Sequence, residues 1–326
     1  MEKSKNLGMI FRKTVTNDTA DKRLDEVVSL LCENVSRSEA RRIIDRGGCA
    51  LNGTMVRVAS RVAKAKDIIE VGVMEPGRFQ NLQLSDEAIL LEDIELVAVN
   101  KPAGVNTQRT PYQLKGTMEY WIAEYFRRHG INETVRVIHR LDRGTSGTML
   151  FPKSKRAAAK LSGLFHDGLV TKRYLALTCG VPPAKPWAVN GAIGKIGVGR
   201  YGVFTGGRPA RTLFRSLAHA GKYSLVEATP LTGRTHQIRV HLAASGLPIV
   251  GDLVYGGEAA DRMMLHSAIL KFGYDADSIK CAVAPLDAAF EACLREKGFA
   301  WEYEQWRDTC LNQNFFPENE EEMTPL

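Results

Sequence analysis

The chain has 326 residues, 44% of them hydrophobic and 25% charged, a composition that can bury a core and excludes collagenous, low-complexity and wholly disordered classes. At about 100–200 residues per domain, this length predicts two or more domains. Lys and Arg number 44 against 37 Asp and Glu, a net charge of +7, and Leu311–Leu326 holds Glu318, Glu320, Glu321 and Glu322 with no base, so the rest of the chain is more basic still. Such a body fits a polyanionic partner.

No run approaches the ~18 apolar residues of a membrane span, and the opening MEKSKNLGMIFRKTV has no apolar core followed by a small-residue cleavage site. The expectation is a cytoplasmic protein with no membrane partner. Cysteines stand at 32, 49, 179, 281, 293 and 310 without a C-x-x-C pair, which indicates neither a zinc ribbon nor a disulfide framework.

In chain order, residues 1–18 read as a frayed polar lead. RLDEVVSLLCENV then places Leu24, Val27, Val28 and Leu31 on one helical face. Ser36, with Glu39 three residues on, is a capping box that opens a second helix. After Gly47-Gly48, two short apolar runs are joined by Asn52-Gly53, a hairpin signal, and a further strand follows. The second helix carries Arg37, Arg41, Arg42 and Arg46, of which Arg37, Arg41 and Arg46 fall along one face. That stripe is either a phosphate grip or a solvated charged face. Its motif R-x-E-A-R-R-x-I-x-x-G, Arg37 to Gly47, resembles the small S-four-type RNA-binding domain, and the resemblance implies that this helix and the following hairpin face RNA.

Residues 75–87 read as a linker, with Pro76-Gly77 as breakers. ILLEDIELVAVNKPAG then gives two apolar runs about Glu92-Asp93, TKRYLALTCG and YSLVEATPL have strand character, and SKRAAAKLSGLF is helix-forming. The expected organisation is an N-terminal domain at 18–74, a body at 88–305 built on a mixed sheet with flanking helices, a Gly- and Arg-rich loop at 192–211, and an acidic, disordered tail at 306–326. Thr232-Gly233 reads as a helix start and Gly246 as its stop, with Arg239 in the first turns.

The segment Val137–Gly147 carries the chemistry. Asp142 lies between Arg140 and Arg143 and is followed by Gly144 and Gly147. A cationic neighbourhood favours the carboxylate, which suits a nucleophile better than a proton donor. Gly144-Thr-Ser-Gly147 lacks nucleophile-elbow spacing, and no P-loop occurs. A structural loop with Asp142 as a cap remains the bland alternative for these residues alone.

His139-Arg-Leu-Asp142, continued by Thr145-Ser-Gly147, resembles the signature of the RluA family of pseudouridine synthases. Three more blocks stand in that family's order: Asn100–Gly104, Lys172–Leu177, and Gly233–Leu242 leading to Gly251–Gly256. The resemblance implies an α+β protein, with a mixed, mainly antiparallel sheet and flanking helices behind a small N-terminal α/β RNA-binding domain. It also implies isomerisation of uridine to pseudouridine with no cofactor, because no atoms are gained or lost. Asp142 takes the place of the family's essential Asp, and Tyr174 that of the tyrosine that packs on the uracil and assists proton loss from C5. Arg239 takes the place of the arginine paired with the Asp, and Arg140 that of the base-flipping arginine. Arg234 is a secondary RNA-contact candidate. A monomer acting on ribosomal RNA is the expectation, with transfer RNA as the nearer alternative substrate.

Two other readings compete. A non-catalytic RNA-binding ribosome-assembly factor would not need Asp142, Tyr174 and Arg239 together, and a two-carboxylate glycosidase lacks its second acid in any motif. His236 and His241 are five apart, which does not align them as helical metal ligands, and no metal is expected.

Overall fold

The computed structural model describes residues 9–32, 35–45, 48–73, 85–109, 116–197, 199–275, 278–312 and 324–325. Arg46, most of the expected linker and the acid-rich run at 318–322 lie outside the described residues. The chain forms two compact units, Met1–Leu84 with Asn106–Asn132, and Ser85–Val105 with Glu133–Leu326.

In the first unit, β1 (Met9–Thr14), β2 (Cys49–Leu51), β3 (Thr54–Val56) and β4 (Ile68–Val73) make an antiparallel sheet in the order β1-β4-β2-β3. Helices α1 (Leu24–Leu31) and α2 (Arg37–Asp45) share its core, where Leu24, Val27 and Val28 meet Ala40 and Ile44. The capping box forms as the spacing predicts: Glu39 N–H donates to Ser36 Oγ at 3.3 Å, and Ser36 N–H to Glu39 Oε2 at 3.2 Å. Asn52 and Gly53 both take positive φ, 53° and 77°, as a two-residue hairpin turn requires. The polar lead is not frayed throughout. Met9–Thr14 pairs with all of β4, a backbone match that its Arg and Lys side chains conceal from local composition. Helix α3 (Met118–Arg128) opens on Thr117, whose hydroxyl accepts from Tyr120 N–H, and buries Trp121, Ile122, Tyr125 and Phe126.

The second unit holds β5 (Ile89–Glu92), β6 (Leu96–Lys101), β7 (Ser146–Pro152), α4 (Lys155–His166), β8 (Val170–Cys179), β9 (Trp187–Asn190), β10 (Ile193–Gly197) and β11 (Arg200–Val203). These are followed by β12 (Arg211–Ala220), β13 (Tyr223–Pro230), α5 (Gln237–Ala244), β14 (Leu265–Asp275), β15 (Ser278–Val283), α6 (Ala288–Glu296), α7 (Tyr303–Asn312) and β16 (Thr324–Pro325). The main sheet runs β16-β9-β12-β13-β8-β14-β7-β6-β5, with β15 also paired to β14. Its neighbours are antiparallel except β14 with β7 and β16 with β9, so the fold is α+β on a mixed, mainly antiparallel sheet.

In this unit three outcomes differ from expectation. The glycine-rich stretch at 192–211 contains a two-stranded hairpin, β10–β11, with Ile193 facing Val203. Helix α5 starts at Gln237, because His236 sits in the left-handed region at φ 57° and breaks the turn that Thr232-Gly233 would open; Gly246, at φ 73°, ends it as expected. Helix α7 runs past residue 305 and buries Trp306 and Cys310, so ordered structure enters the stretch read as tail.

The apolar residues of α5, α6 and α7, among them Ile238, Leu242, Phe290 and Trp306, join the sheet core at Phe214 and Leu225. Within this core Glu227 of β13 is fully buried. It accepts from Arg173 Nη1 at 2.7 Å, Arg215 Nη2 at 2.7 Å and Trp306 Nε1 at 2.8 Å, which ties α7 to the sheet.

Candidate active site

Four pieces of the second unit converge. The loop carrying Asp142 leads into β7, Tyr174 lies on β8, Arg239 is in the first turn of α5, and Asp252 precedes the short 3-10 turn Leu253–Tyr255. The sheet register explains the meeting of the first two. β7 joins β14 with Gly147 beside Ser267, and β14 joins β8 with Ser267 beside Tyr174. Only glycine fits at 147, where φ is 110° and a Cβ would overlap the Ser267 carbonyl. Gly251 is fixed in the same way before Asp252: its φ is 83°, and a Cβ would overlap the carbonyl of Arg262.

The Asp142 loop is braced from a second turn. Gly104 N–H donates to the Arg143 carbonyl at 2.7 Å, and Arg143 Nε donates back to the Gly104 carbonyl at 2.9 Å. Beneath both turns Lys101 is fully buried, its Nζ donating to the carbonyls of Pro102 and Val105 at 2.8 Å and of Arg143 at 3.3 Å. Burial pushes this ammonium down to about 7, with Asp142 opposing the shift. His139 accepts from Leu150 N–H at 2.8 Å and stacks on Phe165, and burial holds its imidazole neutral, down to about 3.

Arg239 is shared by two carboxylates. Its Nε and Nη2 donate to Asp252 at 2.6 and 2.8 Å, and its Nη1 donates to Asp142 Oδ2 at 3.2 Å. The bidentate grip fixes the guanidinium plane and leaves one edge for Asp142. Tyr255 lies beneath the same guanidinium, 4.9 Å from ring centroid to Cζ. Its hydroxyl accepts from Tyr201 N–H at 3.0 Å and shares a 2.8 Å hydrogen bond with His236 Nδ1. Donation of the phenol proton to Nδ1 leaves the imidazole proton on Nε2, which lies 3.9 Å from Asp142 Oδ2. Burial lowers the His236 imidazole and Asp142 partly restores it.

Tyr174 is half-buried, and burial pushes its phenol up to about 12, with the Ser267 hydroxyl beside it opposing part of that shift. Its hydroxyl is therefore protonated at neutral pH. Gln237 staples the loop ahead of α5: its Oε1 accepts from Thr232 Oγ1 and Arg234 N–H, and its Nε2 donates to the Arg211 carbonyl and Thr212 Oγ1.

The structure thus gathers Asp142 and Arg239 directly, with Tyr174 two register steps away through Ser267 and Gly147. Arg140 is exposed and has no hydrogen-bond or ion-pair partner among the described residues. Arg234 donates from Nε to the Pro209 carbonyl at 2.9 Å. In the first unit Arg37, Arg41 and Arg42 are exposed, with Arg37 3.5 Å from Asp25 and Arg41 3.9 Å from Asp45. The sequence motifs assign no catalytic role to Asp252, Tyr255, His236 or Lys101. The signal for the first two was the Gly-bounded block Gly251–Gly256, whose one acid had no visible partner until the fold supplied Arg239. Among the described residues no three His, Cys, Asp or Glu side chains gather as metal ligands, and no helix is long and apolar enough to cross a membrane.

A ribosomal large subunit pseudouridine synthase C of Vibrio cholerae is 31% identical over 86% of this chain and 94% of its own length. The chain belongs to the RNA pseudouridylate synthase family. That family's description matches residues 95–244, which include Asp142, Tyr174 and Arg239. An RNA pseudouridine synthase of Bacillus subtilis, YhcT, is 37% identical to the synthase over 64% of this chain and 71% of its own length. Among solved structures, human RNA pseudouridylate synthase domain containing 1 matches with a TM-score of 0.57 and 28% identity, over 75% of this chain and 100% of its own. Domain containing 4 matches at 0.56 and 26%, over 65% and 93%. The synthase is an isomerase that acts on RNA.

Proposed function

We propose that the synthase isomerises specific uridines of large-subunit ribosomal RNA, with Asp142 as nucleophile. The observation that carries the chemistry is the single carboxylate oxygen of Asp142 held at 3.2 Å by an arginine that Asp252 has already oriented. A positioned carboxylate can attack the sugar's anomeric carbon and expel uracil as the N1–C1′ bond breaks, or add to the uracil ring before that bond breaks, and so keep both halves in the site while the base turns. The new C5–C1′ bond forms and the bond to Asp142 breaks, and the C5 proton passes to the freed carboxylate or to water, the Tyr174 phenol relaying it by releasing its own proton onward as it takes this one. Atoms balance without a cofactor.

Exposed Arg140, next to Leu141-Asp142, is suited to hold the RNA open where the target base leaves its stack. Arg234 and, in the N-terminal RNA-binding domain at 18–74, Arg37, Arg41 and Arg42 are proposed phosphate contacts, as is Arg46 from sequence. The ribosomal target is supported by the similarity to the Vibrio enzyme, and the proposed site of action is the cytoplasm.

Pseudouridine mapping by carbodiimide adducts and reverse-transcription stops tests this reading, in a strain lacking the gene against the same strain supplied with wild type or Asp142→Asn. Discrete large-subunit sites should vanish and return only with wild type. Sites in transfer RNA would replace the substrate, and sites restored by Asp142→Asn would remove the nucleophile.

A further inference from the structure

Gly147, Ser267 and Tyr174 stand in one row across β7, β14 and β8, and the pleat decides which way their side chains point. One position earlier in β14, His266 meets Phe290 of α6 edge-on at 6.4 Å. One position earlier in β8, Arg173 donates to Glu227 and reaches Cys310 of α7 at 3.7 Å. Alternation therefore sends Ser267 and Tyr174 to the opposite face of the sheet. There the Asp142 charge bears on the Tyr174 phenol.

The Ser267 backbone is pinned on both sides. Before it, His266 Nδ1 shares a 2.8 Å hydrogen bond with Ser146 Oγ, and His266 Nε2 one of 3.1 Å with the Ala284 carbonyl. After it, the register with β8 shifts by one residue at Ala268, whose carbonyl accepts from Thr148 Oγ1 at 3.2 Å and from Ala284 N–H at 2.8 Å. Such a bulge re-aims the side chains beside it. The Ser267 hydroxyl itself is unused: the residue is fully buried, and its Oγ has no hydrogen-bond partner among the described residues. Ser146 and Thr148, buried on either side of Gly147, are both bonded. A buried hydroxyl without a partner destabilises a fold, so alanine would serve stability better at this position.

We infer that Ser267 is a positioning residue for Tyr174, its hydroxyl donating to Tyr174 Oη once uracil packs on the ring and so turning the phenol oxygen towards C5. This rests on the reading of Tyr174 given above. In the resting site the Ser267 hydroxyl already favours the ionised phenol, as a donor to Oη does. Hydrogen bonds that serve a reaction are commonly long in the empty site and tighten with substrate. The step balances with Ser267 unchanged. The C5–H bond breaks and its electron pair restores the C5–C6 double bond, while the proton goes to Tyr174 Oη. The phenol's own proton passes to the freed Asp142 carboxylate or to water, and Ser267 keeps its proton throughout.

The probe is protein-free ribosomal RNA from a strain lacking the gene, carrying tracer tritium at uracil C5, with the full chain in excess. Tritium release follows the labelled uridines and carbodiimide stops follow the unlabelled ones, so the ratio of the two single-turnover rates is the isotope effect at C5. Ser267→Ala should lower the saturating rate about three- to tenfold, the effect of losing one hydrogen bond, with RNA affinity by filter binding within about twofold. Its C5 isotope effect should be no smaller than that of wild type, and its Tm no lower, because no resting hydrogen bond is lost. Added to Tyr174→Phe, the same substitution should change the rate by less than about twofold, since its partner is already gone. A wild-type protein that forms no pseudouridine, or a Tyr174→Phe variant at full rate, overturns the reading on which the inference rests. A Ser267→Ala rate equal to wild type, a slow variant whose isotope effect has fallen, or an equal loss in the Tyr174→Phe background overturns the role of Ser267 alone.

Discussion

Asp252 holds Arg239 by two of its nitrogens, at 2.6 and 2.8 Å, and leaves only Nη1 to reach Asp142 at 3.2 Å. Asp252 thereby acts on Asp142 at one remove, as a positioning residue. Asp252→Asn keeps the side-chain shape and weakens the grip, so kcat should fall about tenfold to a hundredfold with little change in KM, as expected when an interaction that orients a reacting group is lost. Arg239→Lys cannot serve both carboxylates with its single point charge and should lose more. Single-turnover tritium release checks both, and a rise in KM alone would place Asp252 in RNA binding instead.

Tyr174 keeps its proton to about pH 12. A rate that depended on its ionised form would climb through the alkaline range, whereas a neutral hydroxyl gives a kcat profile without a tyrosinate limb up to about pH 10. Tyr174→Phe should reduce kcat while leaving RNA affinity within a few-fold. Filter binding alongside tritium release separates the two effects.

Lys101 ties the Asp142 loop to the turn before it, yet its charged form is disfavoured, with a pKa lowered from 10.5 to about 7. The unfolded chain keeps this proton through a range in which the folded chain has released it, so stability gains from Lys101 as pH rises from about 7 towards 10. Thermal melts of wild type and Lys101→Met at pH 6.5, 8 and 9.5 should show the Tm difference moving in favour of wild type at each step. A difference independent of pH would mean that the ammonium stays charged in the fold.

Glu227 neutralises Arg173 and Arg215 where all three are largely removed from water. Glu227→Gln removes the buried carboxylate that Arg173 and Arg215 share and should cost roughly 3–5 kcal/mol of unfolding free energy. Urea denaturation measures it. A loss below about 1 kcal/mol would show that water reaches the arginines in the folded chain.

The Asn52-Gly53 turn, the Ser36–Glu39 box, the α4 helix and the strand character of β8 and β13 were legible locally, because each depends on residues within a few positions of one another. The β1 strand was not, since its one visible requirement is the backbone of β4 about sixty residues away. The hairpin at 193–203 read as a loop because glycine hides strand alternation, and the bonds that make it a strand pair come from register rather than side chains. Helix α5 starts late because His236 adopts a left-handed conformation that local propensity disfavours and the hydrogen bond to Tyr255 accompanies.

The same division holds for chemistry. By itself the sequence determined the family resemblance and singled out Asp142, Tyr174 and Arg239 as candidates, because short motifs preserve residue type and local spacing. Only the tertiary structure decided that Asp252 orients Arg239, that Tyr255 joins His236 to the β10–β11 hairpin, and that Lys101 sits buried under the Asp142 loop. The hydrogen bonds behind these relations link residues 13, 54 and 42 positions apart, and they exist only where strand pairing and glycine-permitted backbone contacts bring distant segments within reach.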